Sequence, residues 1–187
     1  MKNVDQRIRK TRAALHGAMS SLLIEKHPGE ISVRDILETA DVARSTFYTH
    51  FLDKHDVAAS FAAQFRAELK RCCKGAGSTP FAFSRELFRR CYEHQELLRA
   101  ISSRQPCAMT LRSWFNDLIC ELVREDFSNS RYERSSPLDQ EALVQCIAGA
   151  LNNLIFWALA QERTYVSDEL DSIFQALVAP RFTKAPV

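Results

Sequence analysis

The sequence predicts an all-α protein, with a four-helix N-terminal unit followed by a larger helical unit. Three observations carry this. Apolar residues recur three and four apart, not two apart, along nearly the whole chain. Ser32, Asp53 and Ser167 stand just ahead of such runs, where a side-chain oxygen can cap a helix. Proline falls between the runs and not inside them. With 187 residues, 46% hydrophobic and 26% charged, the chain can bury a core and is not of disordered composition.

Taken in order, the first helix carries Ile8, Leu15, Met19 and Leu22 on one face, widened by Leu23. Lys2, Arg7, Arg9, Lys10 and Arg12 stand against a single Asp5 at its start. That cluster reads either as an arm that tracks phosphates or as a solvated, frayed end. His27-Pro28-Gly29 closes the segment. Ser32 then caps a second helix, with Asp35 as its capping-box partner and Val33, Ile36, Leu37 and Ala40 on the buried face. A turn at Asp41-Val42 leads to a third, short helix from about Ala43. Asp53 caps a fourth, along which Val57, Phe61, Phe65 and Leu69 form a stripe.

KGAGSTP at 74–80 reads as a linker, so the expected domains are residues 1–73 and 81–187. Beyond it one helix is expected over 81–104, carrying Phe88, Cys91, Leu98 and Ile101. A second, over 108–127, has a wide face containing Leu111, Trp114, Phe115, Leu118, Ile119, Leu122 and Val123. A third, over 138–162, is apolar almost all round, with Leu143, Val144, Ile147, Leu151, Leu154, Ile155, Trp157 and Leu159. Ser167 caps the last helix, which carries Leu170, Ile173, Phe174 and Leu177. Pro106, Pro137 and Pro180 mark the breaks.

The functional question centres on DVARSTFYTHF, residues 41–51. Two short helices joined by a tight turn make a helix-turn-helix, whose second helix can enter a DNA major groove. Val42, Phe47 and Phe51 are the expected core anchors of that second helix. Arg44, Ser45, Thr46, Tyr48, Thr49 and His50 fall on its other faces. Arg44 suits bidentate pairing with guanine. The hydroxyls of Ser45, Thr46 and Thr49 can donate to bases or phosphates. Tyr48 and His50 suit phosphate oxygens, which fix register without reading sequence. Lys54 and Ser32, each at a helix start, complete the expected contact set if the Ser32 hydroxyl is not consumed in capping.

The run ISVRDILETADVARSTFYTHFLDK resembles the DNA-binding signature of TetR-type transcriptional repressors, down to Phe-Tyr-x-His-Phe and the following lysine. The resemblance spans roughly residues 8–70. GALNNLIFWALAQERTYVSDELDSIFQALVAP resembles the closing dimerisation helices of the same family. Two positions depart from it. Asp41 stands where the family usually has glycine; Asp tolerates the left-handed conformation, and its carboxylate could cap the next helix. Ala43 stands where Ser or Thr is usual, removing one phosphate donor.

The resemblance implies a symmetric dimer on a palindromic double-stranded operator, and a small-molecule effector site in the larger domain. The residues agree on the dimer. A helix apolar on several sides near 138–162, followed by an amphipathic one near 167–179, suits pairing with a second copy, and Gly149 and Ala150 permit close approach. Tyr92, Trp114, Phe115, Asn152, Asn153 and Trp157 are candidates for lining an effector site, and their character favours an apolar or aromatic occupant. The expected mechanism is a population shift, in which the effector favours a dimer whose reading helices no longer match successive grooves.

No Gly-rich phosphate loop, GxSxG or HExxH is present, so no enzyme and no cofactor is expected. Cys91-x-x-His94 offers two metal ligands where zinc needs three or four, so no metal is expected either. A helical module that binds only protein is the first alternative, and a helical enzyme the second. Six cysteines (Cys72, Cys73, Cys91, Cys107, Cys120 and Cys146) without a CxxC pair read as small buried hydrophobes. No apolar run is expected to span a bilayer and no signal peptide is legible, so a cytoplasmic location is expected.

Overall fold

The computed structural model describes residues 2–73, 80–105, 107–129, 132–134, 139–178 and 182–184. They form α1 (Lys2–Glu25), α2 (Val33–Ala40), α3 (Arg44–Tyr48), α4 (Lys54–Cys73), α5 (Phe83–Glu93), α6 (Gln95–Ser102), α7 (Cys107–Asn129), α8 (Gln140–Ala160) and α9 (Ser167–Val178). To the all-helical expectation they add one antiparallel ladder. In it β1 (Tyr132–Arg134) pairs with β2 (Phe182–Lys184), Glu133 opposite Thr183. The chain divides into two compact units, Met1–Ala67 and Glu68–Val187, with the division inside α4. Residues 74–79 of the expected linker, and the breaks expected at Pro106, Pro137 and Pro180, lie outside the described residues.

In the first unit α1 buries Leu15, Ala18, Met19, Leu22 and Leu23, while Ile8, expected on this face, is 37% exposed. The run of basic residues that reads as an arm lies on helix, since α1 begins at Lys2. Ile31, Ile36 of α2, Phe47 of α3, Phe51 just after it, and Val57 of α4 complete the core. His16 is buried among them, a polar ring at an apolar position. Its Nδ1 lies 2.8 Å from Gln64 Oε1 and its Nε2 lies 3.1 Å from Ser60 Oγ. Both ring nitrogens are thus satisfied, as burial requires.

In the second unit the helix expected over 81–104 is two helices, broken at His94 (φ −108°, ψ 19°). The cause is legible in hindsight. A continuous helix would bury residues 94 and 95 between Cys91 and Leu98, and those are His94 and Gln95. Bending there keeps Leu87, Phe88, Cys91, Leu97 and Leu98 buried. α5 packs on α9, and α7 on α8. A phenylalanine cluster links the ends: Phe81 meets Phe83, Phe127 and Phe174 edge-on at 5.5–6.4 Å between ring centroids. Phe81 holds φ 54°, a costly backbone for a bulky residue, and its N–H donates to Asp126. α9 has Val166 in its N-cap place, one residue before the expected Ser167, since the Val166 carbonyl accepts from Glu169 and Leu170.

α8 corrects two readings. It is long and apolar enough to cross a membrane by length and composition. The expectation considered unbroken apolar runs, whereas Gln145, Asn152 and Asn153 interrupt the run without adding charge. Within the protomer α8 has two faces. Val144, Ile147, Ala148, Leu151, Ile155 and Phe156 face the core, while Ala142, Cys146, Ala150, Asn153 and Trp157 form an exposed stripe. Of the six cysteines expected to be buried, Cys73, Cys91 and Cys120 are, Cys72 and Cys107 are half-buried, and Cys146 is exposed. Burial drives the Cys73 thiol up to about 12, which keeps it protonated.

Candidate nucleic-acid interface

The site begins with the box that starts α2. Ser32 Oγ accepts from the Asp35 N–H at 3.2 Å and donates to Asp35 Oδ2, while the Ser32 N–H donates to the same carboxylate oxygen at 2.8 Å. Lys26 Nζ adds a bond of 2.7 Å to the other carboxylate oxygen. Lys26 first, then Ser32, holds the Asp35 carboxyl well below the usual carboxylate range. The Ser32 hydroxyl is thus engaged in capping, the condition on which its expected phosphate contact depended.

α2 ends at Asp41, which adopts φ 51°, ψ 49°, the left-handed conformation expected of it, and its N–H donates to the Leu37 carbonyl. The expectation that its carboxylate caps the next helix is not met. Ala43 occupies the N-cap of α3 without a side-chain hydrogen bond. α3 is short, and one more helical turn carries it to Phe51, whose N–H donates to the Phe47 carbonyl at 2.9 Å.

Phe47 is fully buried and Phe51 nearly so, their rings 6.0 Å apart. Val42, the third expected anchor, is half-buried. Arg44, Ser45, Tyr48 and Thr49 are exposed, and Thr46 and His50 are half-buried. The alternation follows from helical geometry, which puts residues four apart on one face and sends those between them outward. Arg44 lies with its guanidinium 5.7 Å from the Tyr48 ring centroid, so the two present one surface. Thr49 Oγ1 donates to the Ser45 carbonyl at 2.9 Å, which leaves its lone pairs and methyl outward.

Lys54 differs from the rest. Its ammonium donates to the carbonyls of Pro28 (3.2 Å), Gly29 (3.1 Å) and Ile31 (2.7 Å). Three donors meet three acceptors, so in this structure Lys54 clasps the α1–α2 loop. Asp53, beside it, caps α4 by accepting from His55 and Asp56; the Asp56 N–H chiefly lowers its carboxyl. Leu52, to which the sequence assigns no role, is 83% exposed at the corner after α3. Its only signal was position, between the buried Phe51 and the capping Asp53.

The effector candidates are not brought together. Phe115 is core, stacked edge-on against Trp114 and Phe156. Tyr92 lines a cleft of about 30 Å³ with Phe88, Arg99 and Tyr165, room for about one water. Asn152 donates to the Arg112 carbonyl, and its buried Oδ1 has no hydrogen-bond partner. Asn153 and Trp157 are on the exposed stripe of α8, with the Trp157 ring 4.9 Å from Tyr165. Among the described residues no group of three His, Cys, Asp or Glu comes together as a metal site.

No family model matches the chain. A helix-turn-helix-type transcriptional regulator of Bacillus subtilis (strain 168), YxbF, itself uncharacterised, is 32% identical over 69 residues. That stretch is 36% of this chain and only 18% of that protein. Solved structures cover far more. A TetR transcriptional regulator from Streptococcus agalactiae 2603V superposes with a TM-score of 0.66 at 22% identity, over 95% of this chain and 98% of its own. The fold is that of the TetR-type regulators. The dihydroxyacetone kinase operon activator DhaS has the same fold, with a TM-score of 0.67 at 17% identity, covering 92% of this chain and 98% of its own. So has the regulatory protein TetR from Rhodobacter sphaeroides, at 0.57 and 20%, over 91% and 98%. In this TetR-type fold α2 and α3 are the helix-turn-helix, and α8 and α9 close the helical second unit.

Proposed function

We propose that the chain is a dimeric, DNA-binding transcriptional regulator of the TetR type, and that α3 is its reading helix. The observation that carries this is the division of one short helix: Phe47 and Phe51 inside, Arg44, Ser45, Tyr48 and Thr49 outside. A solvated hairpin has no need of an arginine stacked on a half-exposed tyrosine beside three hydroxyls. Arg44 reads a base edge; Tyr48, Thr49 and His50 hold phosphates. The operator is a palindrome matching the two-fold of the dimer. The dimer forms through α8 and α9, whose exposed Trp157, Val166, Ile173 and Leu177 are apolar; on this reading α8 is an interface helix and not a membrane span.

The regulator acts in the cytoplasm, carries no catalysis, and releases DNA when a small molecule binds the second unit. Repression is the reading adopted, although DhaS, of the same fold, is named an activator. The test is selection of bound sequences from random duplexes, followed by binding measurements across a salt series. Phosphate contacts require affinity to fall steeply with salt. Arg44→Ala should both weaken binding and relax preference at one base position. An unchanged selected motif with Arg44→Ala would remove Arg44 as the reader, and salt-independent binding would favour a protein partner.

A further inference from the structure

The second unit carries an open cleft of about 370 Å³ where the ends of α6 and α8 meet the start of α7, lined among others by Arg99, Ser102, Arg112, Phe156, Leu159 and Glu162. Its volume is that of a small-ligand site. None of the six residues expected to bind an effector lines it.

Its two arginines hold no carboxylate among the described residues. Arg85, Arg89, Arg90, Arg124 and Arg163 each hold a carboxylate at 2.5–3.2 Å. Arg99 instead donates its Nε to the Leu159 carbonyl at 3.1 Å. Arg112 lies over Phe156, its guanidinium carbon 4.5 Å from the ring centroid, and likewise pairs with no carboxylate among the described residues. Glu162, the one acidic residue of the lining, is exposed and pairs with neither among the described residues. The Ser102 hydroxyl, on the same wall, is buried without a hydrogen-bond partner. An unsatisfied buried hydroxyl is costly, and such groups mark places where a partner is missing.

We infer that this cleft binds a small organic acid, its carboxylate taken by Arg99 and Arg112 and its apolar body laid against the half-buried Leu159. A planar guanidinium already oriented by stacking matches a carboxylate through two parallel bonds at little further entropic cost. Two guanidinium groups against one carboxylate leave the lining net positive, and the apolar wall excludes a bare ion as the best fit. The assignment differs from the purely apolar or aromatic occupant that the sequence favours. It rests on the regulator reading only in calling the acid an effector.

The test uses the full chain, free of DNA, with benzoate and hexanoate as probes and benzamide, hexanamide and inorganic phosphate as comparisons, read by calorimetry and thermal shift. At least one acid should bind below about 10 mM, a range a fragment with one good ion pair reaches. Its amide should bind at least tenfold more weakly, as should phosphate. Arg112→Gln, at an exposed position, should stay folded, its melting curve shifted only by the lost contact with Phe156, and lose at least tenfold in acid affinity, with Arg112→Lys between. Binding of neither acid, equal binding of acid and amide, tighter binding of phosphate, or an Arg112→Gln protein that binds the acid as before would each overturn the site. A parallel titration on operator DNA separates the two readings. Acid that binds but does not release DNA leaves the site standing and removes its effector role. A chain that binds acid but no DNA removes the regulator and not the site.

Discussion

Lys54 Nζ lies 2.7 Å from the carbonyl oxygen of Ile31, and this bond joins the start of α4 to the residue that precedes the Ser32 cap. With the bonds to Pro28 and Gly29 it fixes the loop that sets where α2 begins. The residue expected to grip a phosphate is therefore first a structural clasp. Lys54→Met should cost about 1–2 kcal/mol of stability, since carbonyls bound to a charged donor lose that partner. Urea unfolding measures this. DNA affinity should fall in the same variant because α2 and α3 lose their platform. Full stability with reduced affinity would restore the simple phosphate role.

Asp41 offers a test of backbone strain. At φ 51° an L-residue other than Asn or Asp gives up roughly 1–2 kcal/mol, and glycine nothing. Asp41→Gly should raise stability by up to about 1 kcal/mol, the relief being offset by glycine's freer unfolded chain. Asp41→Val should lower it, because branching at Cβ is least tolerated there. Thermal unfolding of the three proteins should rank Gly at or above Asp, and Val last. A Val protein as stable as the parent would mean that the turn relaxes away from the left-handed region.

How far the sequence foretold these features depends on whether a local pattern or a distant partner sets them. The Ser32–Asp35 box, the left-handed Asp41 and the buried Phe47–Phe51 pair were legible because each is decided within four residues. The Lys54 clasp was not, since its acceptors lie more than twenty residues away. His16 escaped for the same reason: nothing near it in sequence announces Ser60 and Gln64. The cleft is not legible in the sequence because nothing local marks Arg112 among the arginines of the second unit; its partner Phe156 lies more than forty residues away.

His16 should make the first unit sensitive to acid. Burial chiefly lowers its pKa below the ordinary 6.5, and Arg12 lowers it further, against a smaller opposing effect of the Gln64 hydrogen bond. Besides Arg12 on its own helix, the groups facing the ring are uncharged: Ser60, Phe61 and Gln64 of α4, and Phe51. With the folded value depressed, the unfolded chain takes up a proton that the folded one refuses. Stability therefore falls as pH drops through 6.5 and levels off below the folded value, with a slope of at most about 1.4 kcal/mol per pH unit. Urea midpoints between pH 7.5 and 5.5 should show this decline in the parent and not in His16→Gln. Parallel curves for the two would move the effect to the carboxylates.

The interface assignment has an unusually clean probe in Gly149. A Cβ added there meets nothing within 4 Å in the protomer, and the residue adjoins the small, exposed stripe of Ala142, Cys146, Ala150 and Asn153. Small side chains every three or four residues let two helices approach closely, so a second copy of α8 packed on this stripe would leave no room for a bulky group. Gly149→Leu should leave the protomer folded and stabilise α8 itself, because leucine exceeds glycine in helix propensity by somewhat under 1 kcal/mol. It should nevertheless weaken dimerisation at least tenfold, seen by sedimentation velocity over a dilution series, and weaken operator binding with it. Gly149→Ala, adding one methyl, should fall between. The two effects have opposite signs, so a misfolded variant cannot mimic the result. A Gly149→Leu protein that sediments as the parent dimer would place the interface on another face of the second unit.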